Sequence, residues 1–158
     1  MLSKNSCALV MASFIVCTAV APSAIAAQPD DACSLLTRAQ VSAALGVSVD
    51  AGTYVTPTFK RTCTWNATVN GGGIVTLKLA SLGEYEGGKK LPSYGPSAST
   101  TSISGLGDDA YYLETGPLVG LIVKKGNVAF KVAVYAKIPL EKQQSVEKSL
   151  AKQVVSRL

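Results

Sequence analysis

Apolar residues recur along this chain in two rhythms, one helical and one of strict alternation, and the places where both fail are equally informative. Between Ser34 and Gly46, Val41, Ala44 and Leu45 return at spacings of three and four, which makes one apolar helix face. Thr37 with Gln40 three places later is a capping-box pattern, and Gly46 stands where helices commonly end. A short amphipathic helix is predicted there.

From Val47 onward the rhythm changes to two. Val47 and Val49 flank Ser48, Asp50-Ala51-Gly52 interrupts, and Tyr54-Val55 precedes Pro57. Thr62 to Val69 alternates with Cys63, Trp65 and Ala67 on one side, Asn70-Gly71-Gly72-Gly73 supplies a hairpin turn, and Ile74 to Leu82 rises as the partner strand. Further on, the glycines of Ile103 to Gly107 give a tight entry to a strand over Ala110 to Glu114; Thr115-Gly116-Pro117 turns the chain into Val119 to Lys124. After Lys125-Gly126-Asn127, Val128, Phe130, Val132, Val134 and Ala136 alternate with their neighbours in the clearest half-buried strand of the chain.

Two segments depart from alternation. Within 83–102 glycine, proline, serine and threonine crowd around Tyr85, Leu91 and Tyr94 with no sustained period, which predicts a long loop or one containing a short helix near Glu84 to Lys90. Beyond Pro139, Val146, Leu150, Val154 and Leu158 recur every four residues, assisted by Leu140 and Val155, and predict a terminal amphipathic helix. The order is that of a single α+β domain: an antiparallel sheet of about five or six strands, with an N-terminal and a C-terminal helix packed on one face.

The first 26 residues obey neither rhythm. One cation, Lys4, precedes the apolar run Cys7 to Val20, and Ala24-Ile25-Ala26 offers small residues for cleavage, so residues 1–26 are expected to be a signal peptide and 27–158 the domain. The apolar run is too short and too soon followed by Pro22 for a stable membrane span. Val16, bulky before Cys17, argues against lipid attachment. The expected location is periplasmic or extracellular.

Export changes the reading of the cysteines. Cys7 and Cys17 fall within the leader, which leaves Cys33 and Cys63, and an even pair in an exported domain predicts one disulfide. A reactive or metal-binding pair is the rival reading, but it lacks both CxxC spacing and a His partner. Closing a loop of about 31 residues restrains the unfolded chain by about 3.7 kcal/mol in the chain-entropy account.

The formal charge of +5 is modest and scattered over the pairs Lys60-Arg61, Lys89-Lys90 and Lys124-Lys125, so no nucleic-acid partner is expected. There is no histidine, which excludes Ser-His-Asp and Cys-His nucleophilic sites and His-containing zinc sites. Gly71-Gly72-Gly73 and Gly105-Leu106-Gly107 are too short for phosphate cradles and read as turns. Asp108-Asp109 could be set beside Glu114 as an acid/base pair or a calcium site. However, adjacent strand residues point to opposite faces, and a turn whose carboxylates cap backbone donors is the simpler reading. No cofactor, metal or catalytic residue is assigned.

Ala32-Cys33-Ser34-Leu35-Leu36-Thr37, the later Cys63-Thr64-Trp65, and Gly105 to Tyr112 occur in an order and separation that resemble a family of exported bacterial domains, secreted or lipid-anchored and common in actinobacteria. The resemblance covers most of residues 27–158. It implies that the two cysteines pair and that the glycine-aspartate segment introduces a strand; it implies no particular reaction.

Large aromatic residues are then the candidate binding groups: Trp65, Tyr85, Tyr94, Tyr111 and Tyr112. Core packing competes for each. Trp65, on the side of Cys63, is expected to pack over the disulfide, and of the adjacent Tyr111 and Tyr112 one is expected in the core and the other in solvent. The function expected is a non-catalytic exported binding module contacting an unknown protein or envelope component. A His-independent enzyme using carboxylate, Tyr or Lys groups, or an inhibitor of a secreted enzyme, is the alternative.

Overall fold

The computed structural model describes residues 29–158, the side chains of Ser93 and Tyr94 excepted. The expected signal peptide, 1–26, lies outside the described residues.

Seven strands form one antiparallel sheet: β1 Thr53–Thr56, β2 Phe59–Asn66, β3 Ile74–Ala80, β4 Ala98–Ile103, β5 Asp109–Thr115, β6 Leu118–Lys125 and β7 Val128–Tyr135. Their spatial order is β1-β2-β3-β7-β6-β5-β4. Three helices pack against it, α1 Arg38–Leu45, α2 Leu82–Lys90 and α3 Leu140–Val155. The chain therefore builds a three-strand meander, crosses to the far edge, and returns inward to place β7 beside β3.

Register explains the two faces. Tyr54, Cys63, Leu77, Val132, Leu121, Tyr112 and Thr101 are successive partners in one row across all seven strands. Because side chains alternate along a strand, this row and those two residues away face the same way. Trp65, Val75, Leu79, Phe130, Val134 and Val123 complete that face, and α1 and α3 bury it through Val41, Leu45, Val146, Leu150 and Val154. The N- and C-terminal helices thus share one face, as their apolar stripes predict.

α1 starts on its expected capping box: the Thr37 hydroxyl accepts from Gln40 N while Gln40 Oε1 accepts from Thr37 N. It ends at Gly46, whose φ of +80° is the left-handed conformation that glycine adopts without a Cβ clash. Just before it, a 3-10 turn at Ala32–Ser34, capped by the Asp31 carboxylate, carries Cys33. Cys33 is bonded to Cys63 with Cα atoms 5.0 Å apart, so the disulfide ties this turn, rather than α1 itself, to β2.

Two expectations are corrected. The sheet has seven strands among the described residues, not five or six, and the segment 83–102 is not a long loop: it holds the short helix expected near Glu84 to Lys90, as most of α2, and also a 3-10 turn at Leu91–Tyr94 and most of edge strand β4. α2 carries the chain from β3, in the middle of the sheet, to β4 at its edge, and in doing so crosses the face opposite α1 and α3. A single covered face has become two.

Candidate functional site

The second face explains where the aromatic candidates lie. Trp65, Tyr85 and Tyr111 are fully buried and Tyr112 nearly so; the side chain of Tyr94 lies outside the described residues. Trp65 borders the disulfide. A Cβ added to Gly52 would come within 2.7 Å of both Cys63 Sγ and Trp65 Nε1. The expectation that Tyr111 or Tyr112 meets solvent fails because each face of β5 is covered at that point. Tyr112 Oη donates to Gln144 O of α3 at 2.8 Å, whereas Tyr111 Oη donates to Tyr85 O of α2 at 2.7 Å. Burial pushes both phenols up to about 12, helped at Tyr111 by the carboxylates of Glu86 and Asp109 and at Tyr112 by Glu147.

α2 is held onto this face from both ends. The Ser81 hydroxyl accepts from Glu84 N and Glu84 caps Ser81 N, which starts the helix directly after β3. Glu84 also pairs with Lys78 at 2.6 Å, and these bonds hold its carboxyl at about 2. At the other end Lys89 pairs with Asp109 and lies 5.5 Å from the Tyr85 ring centroid. Tyr85 meets Tyr111 edge to face, centroids 5.3 Å apart. Among the described residues its buried hydroxyl has no hydrogen-bond partner, and burial, then the nearby Asp109 carboxylate, pushes its pKa up. Gly88 permits the close approach, since a Cβ there would fall 2.3 Å from Tyr111 Oη.

Nine residues of helix do not cover seven strands. Beside α2 the face opens into a trough of about 380 Å³, walled by Tyr85 and Leu91 and floored by Ala80, Leu113 and Ile122. Lys78 and Lys131, direct partners in the β3–β7 ladder, stand along it. Like charges directly opposite each other repel. Glu84 neutralises Lys78; the Lys131 ammonium makes no ion pair or hydrogen bond with any described residue. The Lys131 stem lies across Gly120 of β6, where a Cβ would sit 2.2 Å from its Cε. Burial lowers the Lys131 pKa, with the Lys78 charge acting in the same direction and Glu147 in the other.

A second feature lies at the opposite end of the sheet. The β6–β7 ladder stops at Leu121↔Val132. Beyond it Val134 N, which continued pairing would direct toward β6, donates to Glu147 Oε1 of α3 at 2.9 Å. Glu147 is wholly buried and its Oε2 has no hydrogen-bond partner among the described residues. Burial raises its pKa to about 7, against the opposing pull of the Val134 N–H and of Lys131. A cleft of about 430 Å³ opens where the strands part, between Leu118 and Val119 on one side and Val134 and Tyr135 on the other. Glu147 is not among the residues that line this cleft and is out of contact with solvent.

The acidic candidates separate. Asp108 accepts from Gly126 N at 2.6 Å and caps the β6–β7 hairpin, while Asp109 faces α2 and Glu114 accepts from Ser99 on β4. Among the described residues no group of three or more Cys, Asp or Glu side chains is placed to hold a metal ion, and no helix is long and apolar enough to cross a membrane.

Sequence reasoning missed both Lys131 and Glu147. Glu147 sits within the apolar stripe of α3, one place after Val146 and three before Leu150, and a carboxylate inside such a stripe is a legible signal. Lys131 occupies the polar phase of β7, where a lysine is ordinary; only the register opposite Lys78 makes it distinctive. Comparisons with protein-family models, curated proteins and solved structures returned no match.

Proposed function

We propose that this chain is an exported, non-catalytic binding module of the bacterial envelope, related to the secreted domains that its Cys-Ser-Leu-Leu and Cys-x-Trp segments resemble, and that it binds through the trough beside α2. The observation that carries this reading is the pairing of an apolar concavity with an unneutralised lysine on the one face that the helices leave partly open. Concave apolar sites with a few fixed polar groups are the usual form of ligand sites, about 300–1,000 Å³ in volume. Of the rings first considered as anchors, Tyr85 and Tyr111 hold α2 in place and so shape the wall.

The rival enzymatic reading finds its best residue in Glu147, which titrates near neutrality. Its free oxygen is enclosed, however, and a general acid must come within hydrogen-bond reach of its substrate.

Two measurements test the proposal. Protein recovered from the envelope or medium of its native host is expected to begin at Ala27 with Cys33 and Cys63 oxidised; recovery from the cytosol beginning at Met1 with free thiols contradicts export. A panel of small amphiphiles added to methyl-labelled protein is expected to shift Leu113, Ile122 and Ala80 first. Shifts confined to other surfaces, or chemical conversion of a panel member, contradict the binding reading.

A further inference from the structure

We infer that the trough beside α2 binds a small amphipathic anion, with an aliphatic chain or flat apolar body against Tyr85, Leu113 and Ile122 and a carboxylate, sulfate or phosphate monoester head on Lys131. This inference deepens the proposed function and rests on it. Three observations carry it: register, charge and shape.

Lys78, Lys131, Ile122 and Tyr111 are consecutive positions in one cross-strand row on the second face. The row thus passes from two cations directly onto apolar floor within the spacing of neighbouring strands, about 4.8 Å each. That sequence of chemistries matches a molecule with one charged head and an apolar body.

The trough contains Lys78, Glu84 and Lys131 as its charged groups, the Tyr85 phenol being neutral with its pKa pushed up by burial. Glu84 is committed to Lys78, so the net charge of the trough is that of Lys131. Besides Lys78, the charged group among the described residues that acts on Lys131 is Glu147, on the opposite face of the sheet and titrating at about 7. Burial makes the Lys131 ammonium costly, and an anion placed against it offsets that cost with charge-assisted hydrogen bonds. Gly120 is part of the device. Without a side chain on β6 at that point, the lysine stem lies across Gly120, the direct cross-strand partner of Leu113 in the floor.

Shape selects a free small molecule over a membrane surface. The cation stands within a concavity of about 380 Å³ under the wall of α2, whereas adsorption to an anionic bilayer calls for a cluster of protruding lysines.

The test uses purified protein and four ten-carbon probes kept below micelle-forming concentrations: decanoate, decyl sulfate, decanol and decyltrimethylammonium. Isothermal titration is expected to show the two anions binding at least tenfold more tightly than the neutral and cationic probes. In Lys131→Met the anionic preference is expected to vanish while decanol affinity stays within about twofold. Glu84→Gln keeps the capping-box geometry but frees Lys78, and is expected to raise decanoate affinity several-fold. Gly120→Ala displaces the Lys131 stem and is expected to lower it.

Equal affinity for all four heads overturns the anion inference and leaves the trough standing as a binding surface. Failure of every probe to bind, with Leu113 and Ile122 methyl signals unmoved, overturns the binding reading as well. Lys131-dependent binding to phosphatidylglycerol vesicles, without binding of monomeric decanoate, overturns the small-molecule inference in favour of a membrane surface.

Discussion

Tyr111 and Tyr112 are consecutive in β5, yet their hydroxyls reach helices on opposite sides of the sheet, one to Tyr85 O and the other to Gln144 O. Each bond joins a helix to the sheet, and replacement by phenylalanine is expected to cost about 1 kcal/mol per site. Urea unfolding measures this, and additivity of the two losses would show that the two faces are secured independently. Glu147 acts in a different way, through pH. Its folded pKa of about 7 lies above the ordinary value of 4.5, so the folded state binds the extra proton. Its contribution is therefore most favourable below about pH 4.5 and is lost as pH rises through about 7, a difference on the order of 3 kcal/mol. Glu84, Asp108 and Asp109 have lowered pKa values and act in the opposite sense, each losing its contribution only as the solution becomes more acidic. Stability is expected to peak near pH 4.5 to 5 and decline toward 7, and Glu147→Gln is expected to flatten that decline. An unchanged slope in the variant would place the titrating group elsewhere.

At the scale of elements, α2 decides how much of the second face is open. Gly83, Gly87 and Gly88 occupy three of its nine positions, and each disfavours helix by about 1 kcal/mol relative to alanine. The helix persists because of its capping box, its two ion pairs and the Tyr85–Tyr111 contact. Ser81→Ala is expected to cost about 1 kcal/mol and to speed amide exchange within Leu82–Lys90 while leaving α3 unaffected. Equal acceleration in both helices would mean that α2 opens only with the whole domain. This balance also explains what was legible in the sequence. α1, α3, β3 and β7 carry strong periodicity and their own punctuation, so both their kind and their placement could be read. The glycines of α2 hide its period, although Ser81 followed by Glu84 marks its start. β4, Ala98–Ile103, has Ser or Thr at its four central positions and so shows no apolar alternation to detect. It exists because β5 offers a ladder from Ala98↔Thr115 to Ile103↔Ala110. The trough was hidden for the same reason: a site made by register between β3 and β7 and by a helix of low intrinsic propensity has no local signature.

For the whole molecule, the disulfide and the two-faced sheet set the limits within which the trough can work. The Cys33–Cys63 bond secures the chain before α1 to β2 on the face of the sheet opposite α2. Replacing both cysteines by alanine is expected to lower stability by about 2 to 5 kcal/mol while leaving affinity for decanoate in the folded protein unchanged. A parallel loss of affinity would show that the trough depends on the staple. The central claim is that a partly covered sheet face holds a ligand whose charged head meets Lys131. Intermolecular nuclear Overhauser effects between decanoate and isotope-labelled protein test it most directly. The account predicts chain-methylene contacts to Leu113, Ile122 and the Tyr85 ring, together with a perturbed Lys131 Cε signal; contacts instead to Leu118 and Tyr135, at the cleft where β6 and β7 part, would contradict it.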